Sequence, residues 1–515
     1  MTRQKSENSV VPKGPRKSAP TEHARGGKGV PVNEEMGQLE LSLATAENPQ
    51  GTTKREGADR SAPRPSSVAP QASAKSLKTP SASMESVVEH LDEALGHVFR
   101  NKGAAGPNGR SVEAVREDWA RTRRKLANAL QAGNYTPGPI RRVEIPKPGG
   151  GVRGLGIPDV EDRVVQESIR LCLQPEFEPD FHASSHGFRP KRSCHTALTE
   201  AQAYVEDGHD WVVDLDLSKF FDRVNHQRLM ARAALKVQDR ALLIVLGRLL
   251  KAAVVMSDGV LVRTEEGVPQ GGPLSPLLSN IVLDELDWEL NRRGHRFVRY
   301  ADDVAIFVRS ERAGTRVMAS VTRFIEGRMR LKVNQKKSSV RRPDSGNFLG
   351  FRLAEGPGGS PEIRLSERTM KRAQTRIREL TPRNWGGSLT SCIQHVNRYF
   401  RGWFGFFGVC SPSAQRELRT LDSRTRRRLR AIKLKQWKTK RTVARKLNQM
   451  KRSRKVARNV YGGRRGWWSL SHDGVVDHRL NNQWFLDQGF IPLVERHCER
   501  ELAMLAPAQT SFEWG

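Results

Sequence analysis

Tyr300-Ala301-Asp302-Asp303 sets two acids side by side in the middle of RFVRYADDVAIFVR, residues 296–309. The β-branched and aromatic runs on either side predict a hairpin with the acids at its tip. Two adjacent carboxylates in an apolar setting each lose hydration and repel the other, so such a pair persists most easily beside divalent cations. A second source of acid is WVVDLDLSKFFDRV, residues 211–224. Read as a strand, it puts Asp214 and Asp216 on one face and Trp211, Val213, Leu215 and Leu217 on the other, so one of the two acids can meet the hairpin tip. Three carboxylates from two strands suit a two-metal phosphoryl-transfer centre, with ions about 3.5–4 Å apart. Hard Mg²⁺ suits all-oxygen ligands. Taken alone, an Asp-Asp pair in a hairpin is more often only a turn, and its surroundings decide.

Those surroundings hold further groups of chemical interest. The Gly-rich turn of KPGGGVR, bracketed by Lys147 and Arg153, frees backbone amides and brings two cations to one place. That suits a triphosphate, although an ordinary basic hairpin has the same composition. Pro269-Gln270-Gly271-Gly272 is a turn where backbone can approach a ligand closely. Between Ser391 and Val409, Ile393, Val396, Phe400, Trp403 and Phe407 recur at helical steps and predict one apolar, core-facing stripe, with Arg398 and Arg401 pointing elsewhere. Further on, Arg426-Arg427-Arg428 leads into Lys433, Lys435 and Lys438 with almost no compensating acid, a density that favours phosphate contact over a merely solvated face. Trp467, Trp468 and Trp484 are placed either to stack bases or to pack a small domain.

The elements that must position these groups come from a 515-residue chain with 88 Lys and Arg against 56 Asp and Glu, a net charge of +32. A polyanion is the natural partner, and nucleic acid is favoured over a membrane surface. Residues 1–84 show no lasting apolar periodicity and read as a disordered leader. Order should begin near Ser83, with Val87, Val88, Leu91, Leu95 and Val98 at helical spacing. From there to about Leu353 short apolar strands alternate with helical stretches, an α/β pattern. From Lys371 to Arg465 there are 28 Lys and Arg against three acids, Glu379, Glu417 and Asp422, so most of the excess charge sits in a helical C-terminal part. The apolar stretch Ala241 to Met256 is too short and too interrupted to span a bilayer and reads as a buried helix. Five scattered cysteines without a CxxC pair fit free thiols, and with no signal-type apolar run the expected residence is a bacterial cytoplasm.

A series of segments in order along some 270 residues resembles the group II intron-encoded reverse transcriptases and maturases. The series starts with Asn101-Lys102-Gly103-Ala104-Ala105-Gly106, Ile145 to Arg153 and Ser185-His186-Gly187-Phe188-Arg189-Pro190. It continues with Asp214 to Asp222, Gly267 to Pro276, the Tyr-Ala-Asp-Asp tetrapeptide, Leu331-Lys332-Val333-Asn334 and Phe348-Leu349-Gly350-Phe351. The resemblance implies a right-hand polymerase with α/β fingers and palm over 85–364. A helical thumb or maturase region over 365–430 and a basic, nucleic-acid-binding C-terminal region over 431–515 would follow. It implies that Asp216, rather than Asp214, joins Asp302 and Asp303 on two Mg²⁺ ions, with the Leu217 carbonyl beside them. Lys147, Arg153 and Gln270 are then assigned to the incoming dNTP, and Phe221 to its sugar. Lys336 would stand near the leaving pyrophosphate, with Lys337 an alternative, and Leu349 and Gly350 would steady the primer end. Implied partners are a group II intron RNA, an RNA template with a DNA primer, target DNA and dNTPs, with no membrane.

Two departures stand out. Many relatives end in an HNH endonuclease with paired cysteines, whereas here only Cys498 follows Cys410, so target-strand nicking is not expected. Gly154 stands where relatives commonly have Pro. Two other readings remain open at the level of sequence: a non-catalytic RNA-binding maturase, which the intact Asp216, Asp302 and Asp303 argue against, and an intron-free polymerase serving defence or DNA repair.

Overall fold

The computed structural model describes residues 82–146, 151–462 and 466–505, all within one compact unit spanning residues 61–515. Residues 1–81 of the expected leader lie outside the described residues. The first helices are Met84–Glu89, capped by the Ser83 hydroxyl accepting from the Ser86 amide, and Leu91–Arg100, the two meeting at His90.

The central element is a four-stranded antiparallel sheet. Its strands are β3 (Trp211–Asp216), β6 (Arg296–Tyr300), β7 (Asp303–Val308) and β8 (Ser339–Arg341), in the order β6-β7-β3-β8. Both faces are apolar, which is why these strands read as near-continuous Val, Ile and Phe rather than as a clean alternation. Val213, Leu215, Val304 and Ile306 enter one core with the helices Ser275–Arg292 and Glu311–Gly327. Val212, Val298, Ala305 and Phe307 enter a second core shared with the helical C-terminal part. Gly314 lets the helix Glu311–Gly327 lie close on the sheet, since a Cβ there would stand 2.5 Å from Val340.

A second sheet, ordered β2-β1-β4-β5, is built from β1 (Ile140–Pro146), β2 (Val152–Ile157), β4 (Val254–Val255) and β5 (Leu261–Val262). The single helix expected over Ala241 to Met256 is corrected here. The helix runs Arg240–Leu250, capped by Asp239, and the β-branched Val254 and Val255 then pair in parallel with Ile140 and Arg141. Among the described residues no helix is long and apolar enough to cross a membrane.

Strands β9 (Phe351–Glu355) and β10 (Pro361–Leu365) form a hairpin that leads into the helices Glu367–Leu380, Leu389–Phe407 and Gln415–Gln436. The stripe on Leu389–Phe407 packs as its spacing predicts. Ile393, Val396 and Phe400 are buried, and Trp403 and Phe407 pack at the edge of the same core. All five cysteines are free.

Candidate active site

Tyr300 pairs with Asp303 across the β6–β7 hairpin, leaving Ala301 and Asp302 as its two-residue turn. Ala301 takes a left-handed φ of 56°, a conformation that a side chain opposes and surrounding contacts must hold. Two devices hold it. Gly187 presses against the turn so closely that a Cβ there would lie 2.2 Å from the Ala301 amide nitrogen. From beneath, Arg299, fully buried, donates through Nη1 to the Ala301 carbonyl and to Asn280 Oδ1, both at 3.0 Å. Its remaining donors reach Asp287 in a two-pronged ion pair, 2.7 and 2.6 Å, and Ser185 Oγ at 2.6 Å. Asn280 in turn donates to the Gly187 carbonyl at 2.9 Å, so helix, hairpin and the Ser185–Gly187 segment share one network. Sequence reasoning missed Arg299, Asp287 and Asn280. Their signal was polar residues inside an otherwise apolar strand and helix, RFVRY and SNIVLDELDWEL.

The expected meeting of the two acid-bearing strands occurs in register, with Asp216 directly opposite Asp303. Like charges at paired positions repel. Asp303 opens towards solvent, yet the protein mass around its carboxyl strips hydration. That loss, followed by repulsion from Asp302, Asp214 and Asp216, pushes its pKa to about 7. Burial likewise raises Asp302, with Asp216 adding to the shift and Arg153 and Lys337 opposing it. Burial also raises Asp214, but Arg341 forms an ion pair with it and opposes the shift. Asp214 therefore has its own counter-ion on the neighbouring strand.

Asp216 is gripped by the segment after the helix Glu311–Gly327. Asn334 donates through Nδ2 to Asp216 Oδ2 at 2.9 Å and through its amide to the Asp216 carbonyl at 2.8 Å. The Asp216 amide donates to Ser338 Oγ at 3.1 Å, and Lys337 Nζ stands 3.6 Å from Asp216 Oδ1. Leu217 pairs with Val333. Lys336 is exposed, and Lys337 is the lysine brought to the acids. Among the described residues no three Asp, Glu, His or Cys side chains converge into a closed metal-ligand cluster. Asp216 is turned to Asn334 and Lys337. Three crowded carboxylates, of which burial raises the pKa of Asp302 and Asp303, are nonetheless the set that a hard divalent cation would relieve.

Around this centre, Arg153 is exposed on β2, near enough to Asp302 for its charge to be felt. Lys147 lies outside the described residues. The turn at Gln270 docks on β2, the Gln270 carbonyl accepting from the Gly156 amide at 2.6 Å. A Cβ on Gly271 would be 2.5 Å from the Gly156 carbonyl, so this Gly is required by the approach. Gly154 leaves room for the Arg142 guanidinium, whose nearest atom would stand 2.7 Å from a Cβ there. Phe220 is buried and Phe221 half-buried beside it, ring centroids 5.2 Å apart. Phe348-Leu349-Gly350-Phe351 is a tight two-residue turn, not a plain strand, because Leu349 and Gly350 both have positive φ, 53° and 90°. Thr369 Oγ1 and the Ser366 amide hold the Gly350 carbonyl, and Phe407 covers the turn.

The basic residues divide. Arg398, Arg401, Lys435 and Lys438 are exposed. Arg428 is committed inward, donating to Thr381 Oγ1 and the Thr381 carbonyl, each at 2.5 Å. Arg427 lies 4.2 Å over the Trp468 ring, and Lys433 lies between Trp437 and Trp484, at 5.7 and 6.0 Å. Burial lowers the pKa of Arg426, with Asp422 opposing.

Residues 145–353, which span all the groups from Arg153 to Phe351, match the family model for reverse transcriptase (RNA-dependent DNA polymerase). Residues 370–452 match the group II intron, maturase-specific domain. Protein YkfC of Escherichia coli K12 is 32% identical over 352 residues, covering 60% of this chain and 89% of that protein. The chain belongs to the group II intron reverse transcriptase and maturase family. The group II intron-encoded protein LtrA of Lactococcus lactis subsp. cremoris is 38% identical over 200 residues, 38% of this chain and 32% of LtrA. A putative COX1/OXI3 intron 2 protein of Saccharomyces cerevisiae is 26% identical over 335 residues, 53% of this chain and 39% of that protein. This reverse transcriptase thus spans most of YkfC but well under half of the two intron proteins. Its polymerase match encloses all three acids, and its maturase match encloses Arg398 through Lys438. Enzymes of the reverse transcriptase family use divalent metal ions, and their partners are nucleic acids.

Proposed function

We propose that this protein extends a DNA primer on an RNA template by in-line attack of the primer 3′-hydroxyl on the α-phosphate of a dNTP. The observation that carries the reading is the register of Asp216 against Asp303, with Asp302 in the turn between strands. Asp216, Asp302, Asp303 and the Leu217 carbonyl would hold two Mg²⁺ ions, which when bound would neutralise the acids and stabilise charge on the attacking and leaving oxygens. Arg153 and Gln270, joined through β2, would hold the triphosphate together with Lys147. Lys337, beside Asp216, suits the leaving pyrophosphate better than Lys336. Phe221, half-buried against Phe220, would meet the sugar, and the turn at Leu349 and Gly350 would support the primer.

The division of the chain that fits this chemistry is fingers and palm over 85–364, thumb over 365–430 and a basic region over 431–515. The maturase match supports a second role: binding a group II intron RNA, assisting its splicing and carrying it to target DNA from a cytoplasmic complex. Arg398, Arg401, Lys435 and Lys438 are the exposed cations suited to phosphate. Purified protein with Mg²⁺ and dNTPs should extend a DNA primer on an RNA template. Asp302→Ala should abolish extension while RNA binding persists, and equal extension by both proteins would refute the assignment.

A further inference from the structure

Phe188 is exposed to 37% and belongs to neither hydrophobic core, although Phe is among the residues that burial rewards most. Its backbone is left-handed, φ 59°. Among the described residues, the large apolar side chains with positive φ are Phe188 and Leu349, and Leu349 sits in the turn already assigned to the primer. A bulky residue in this conformation costs stability, and persists where its neighbours enforce it.

The enforcement is extensive. On one side Asn280 fixes the Gly187 carbonyl at 2.9 Å. On the other Arg189, buried, donates to Glu178 Oε1 at 2.8 Å and to the carbonyls of His182 and Ser185 at 2.6 and 2.9 Å. The arginine of this segment is thus a fastener that leaves the aromatic ring presented at the surface. The ring centroid is 6.4 Å from that of Tyr300, the residue that opens the acid-bearing turn. Cys194 lies close to the Tyr300 hydroxyl, and the next residue, His195, bonds the Phe406 carbonyl at 2.8 Å. Phe407 beside it covers Gly350. Two aromatic groups are therefore present: Phe188 with Tyr300 at the head of the acid-bearing turn, and His195 with Phe406 and Phe407 over the Leu349–Gly350 turn.

We propose that Phe188 is the stacking contact for the recessed 3′ end of the RNA–DNA hybrid, its ring lying against the terminal primer nucleotide while Leu349 supports it from the thumb side. The inference rests on the polymerase reading of the hairpin. An exposed aromatic face is tolerant of base identity, as an enzyme that copies any template requires.

The test measures fluorescence anisotropy of the full chain with a labelled RNA template carrying a recessed DNA primer, without dNTPs, beside single-stranded RNA of the same sequence. Phe188→Gly removes the ring and relaxes the left-handed backbone, and its melting curve checks that the chain still folds. Its dissociation constant for the recessed hybrid should rise roughly 5-fold to 100-fold with single-stranded RNA binding unchanged. Phe188→Leu should behave like Phe188→Gly, and Phe188→Tyr should restore hybrid affinity. Wild-type hybrid affinity in Phe188→Gly, or an equal loss on single-stranded RNA, would overturn the proposal. The polymerase reading fails separately, if Asp302→Ala extends primers as wild type does.

Discussion

Removing Asp287 tests how the hairpin tip is held. Its carboxylate and the Arg299 guanidinium are both fully buried, and they meet through two hydrogen bonds of 2.7 and 2.6 Å. In Asp287→Ala the guanidinium keeps Asn280, Ser185 and the Ala301 carbonyl but loses its only ion-pair partner among the described residues. Breaking a buried pair from one side costs about 3–5 kcal/mol, because a charge is left uncompensated in a dry site. At this chain length that lowers the melting temperature by about 3–5 °C. The double variant Asp287→Leu with Arg299→Met replaces the pair with apolar groups, and most of the lost stability should return. Primer extension should not return with it, since the bond from Arg299 Nη1 to the Ala301 carbonyl is gone and the turn bearing Asp302 is freed. The assay is thermal unfolding of each variant alongside single-turnover extension normalised to folded protein. A double variant as unstable as Asp287→Ala would refute the charge argument. Wild-type extension by the double variant would refute the positioning of the turn.

Other outcomes follow from the same geometry. The Asp303 carboxyl, raised from 3.8 to about 7 by burial and then by the neighbouring acids, gives stability that is full below pH 3.8 and lost as pH rises through 7. In the presence of a chelator the melting temperature of wild type should therefore fall between those values more than that of Asp303→Asn, and parallel curves would remove Asp303 as the cause. Asp303→Asn should also melt higher than wild type at pH 8 while failing to extend primers. Gly187→Ala puts a methyl 2.2 Å from the Ala301 nitrogen, so extension should fall at least ten-fold through displacement of the turn, an outcome read by single-turnover kinetics. Replacing Phe221 by Val should raise incorporation of ribonucleotides relative to deoxyribonucleotides, and unchanged sugar selectivity would return that ring to a packing role.

The acids were legible because their chemistry is local. Two aspartates between apolar runs imply a hairpin, alternation puts Asp214 and Asp216 on one face of a strand, and the order of the surrounding segments implies what they do. The apolar helix of Leu389–Phe407 was legible for the same reason, since a 3.6-residue period is written into consecutive residues. Local pattern failed at Val254 and Val255, where an apolar stretch hides a change from helix to strand that only pairing with β1 reveals. It failed again in the run Arg426 to Lys438, where composition cannot tell an arginine turned onto Thr381 from a lysine left in solvent.

By itself, then, the sequence placed three carboxylates near the ends of expected strands, a set suited to divalent cations, with a basic helical part after them suited to a polyanion. Strand alternation left Asp214 and Asp216 equivalent, and the tertiary structure separates them. Asp216 opposes Asp303 because β3 lies beside β7, whereas Asp214 is neutralised by Arg341 from β8. It also decided what holds the turn in its left-handed form. That work falls to Arg299, Asp287, Asn280, Ser185 and Gly187, up to 114 residues apart in the chain. A buried charge can be recognised as paired only when the fold has brought its partner to it.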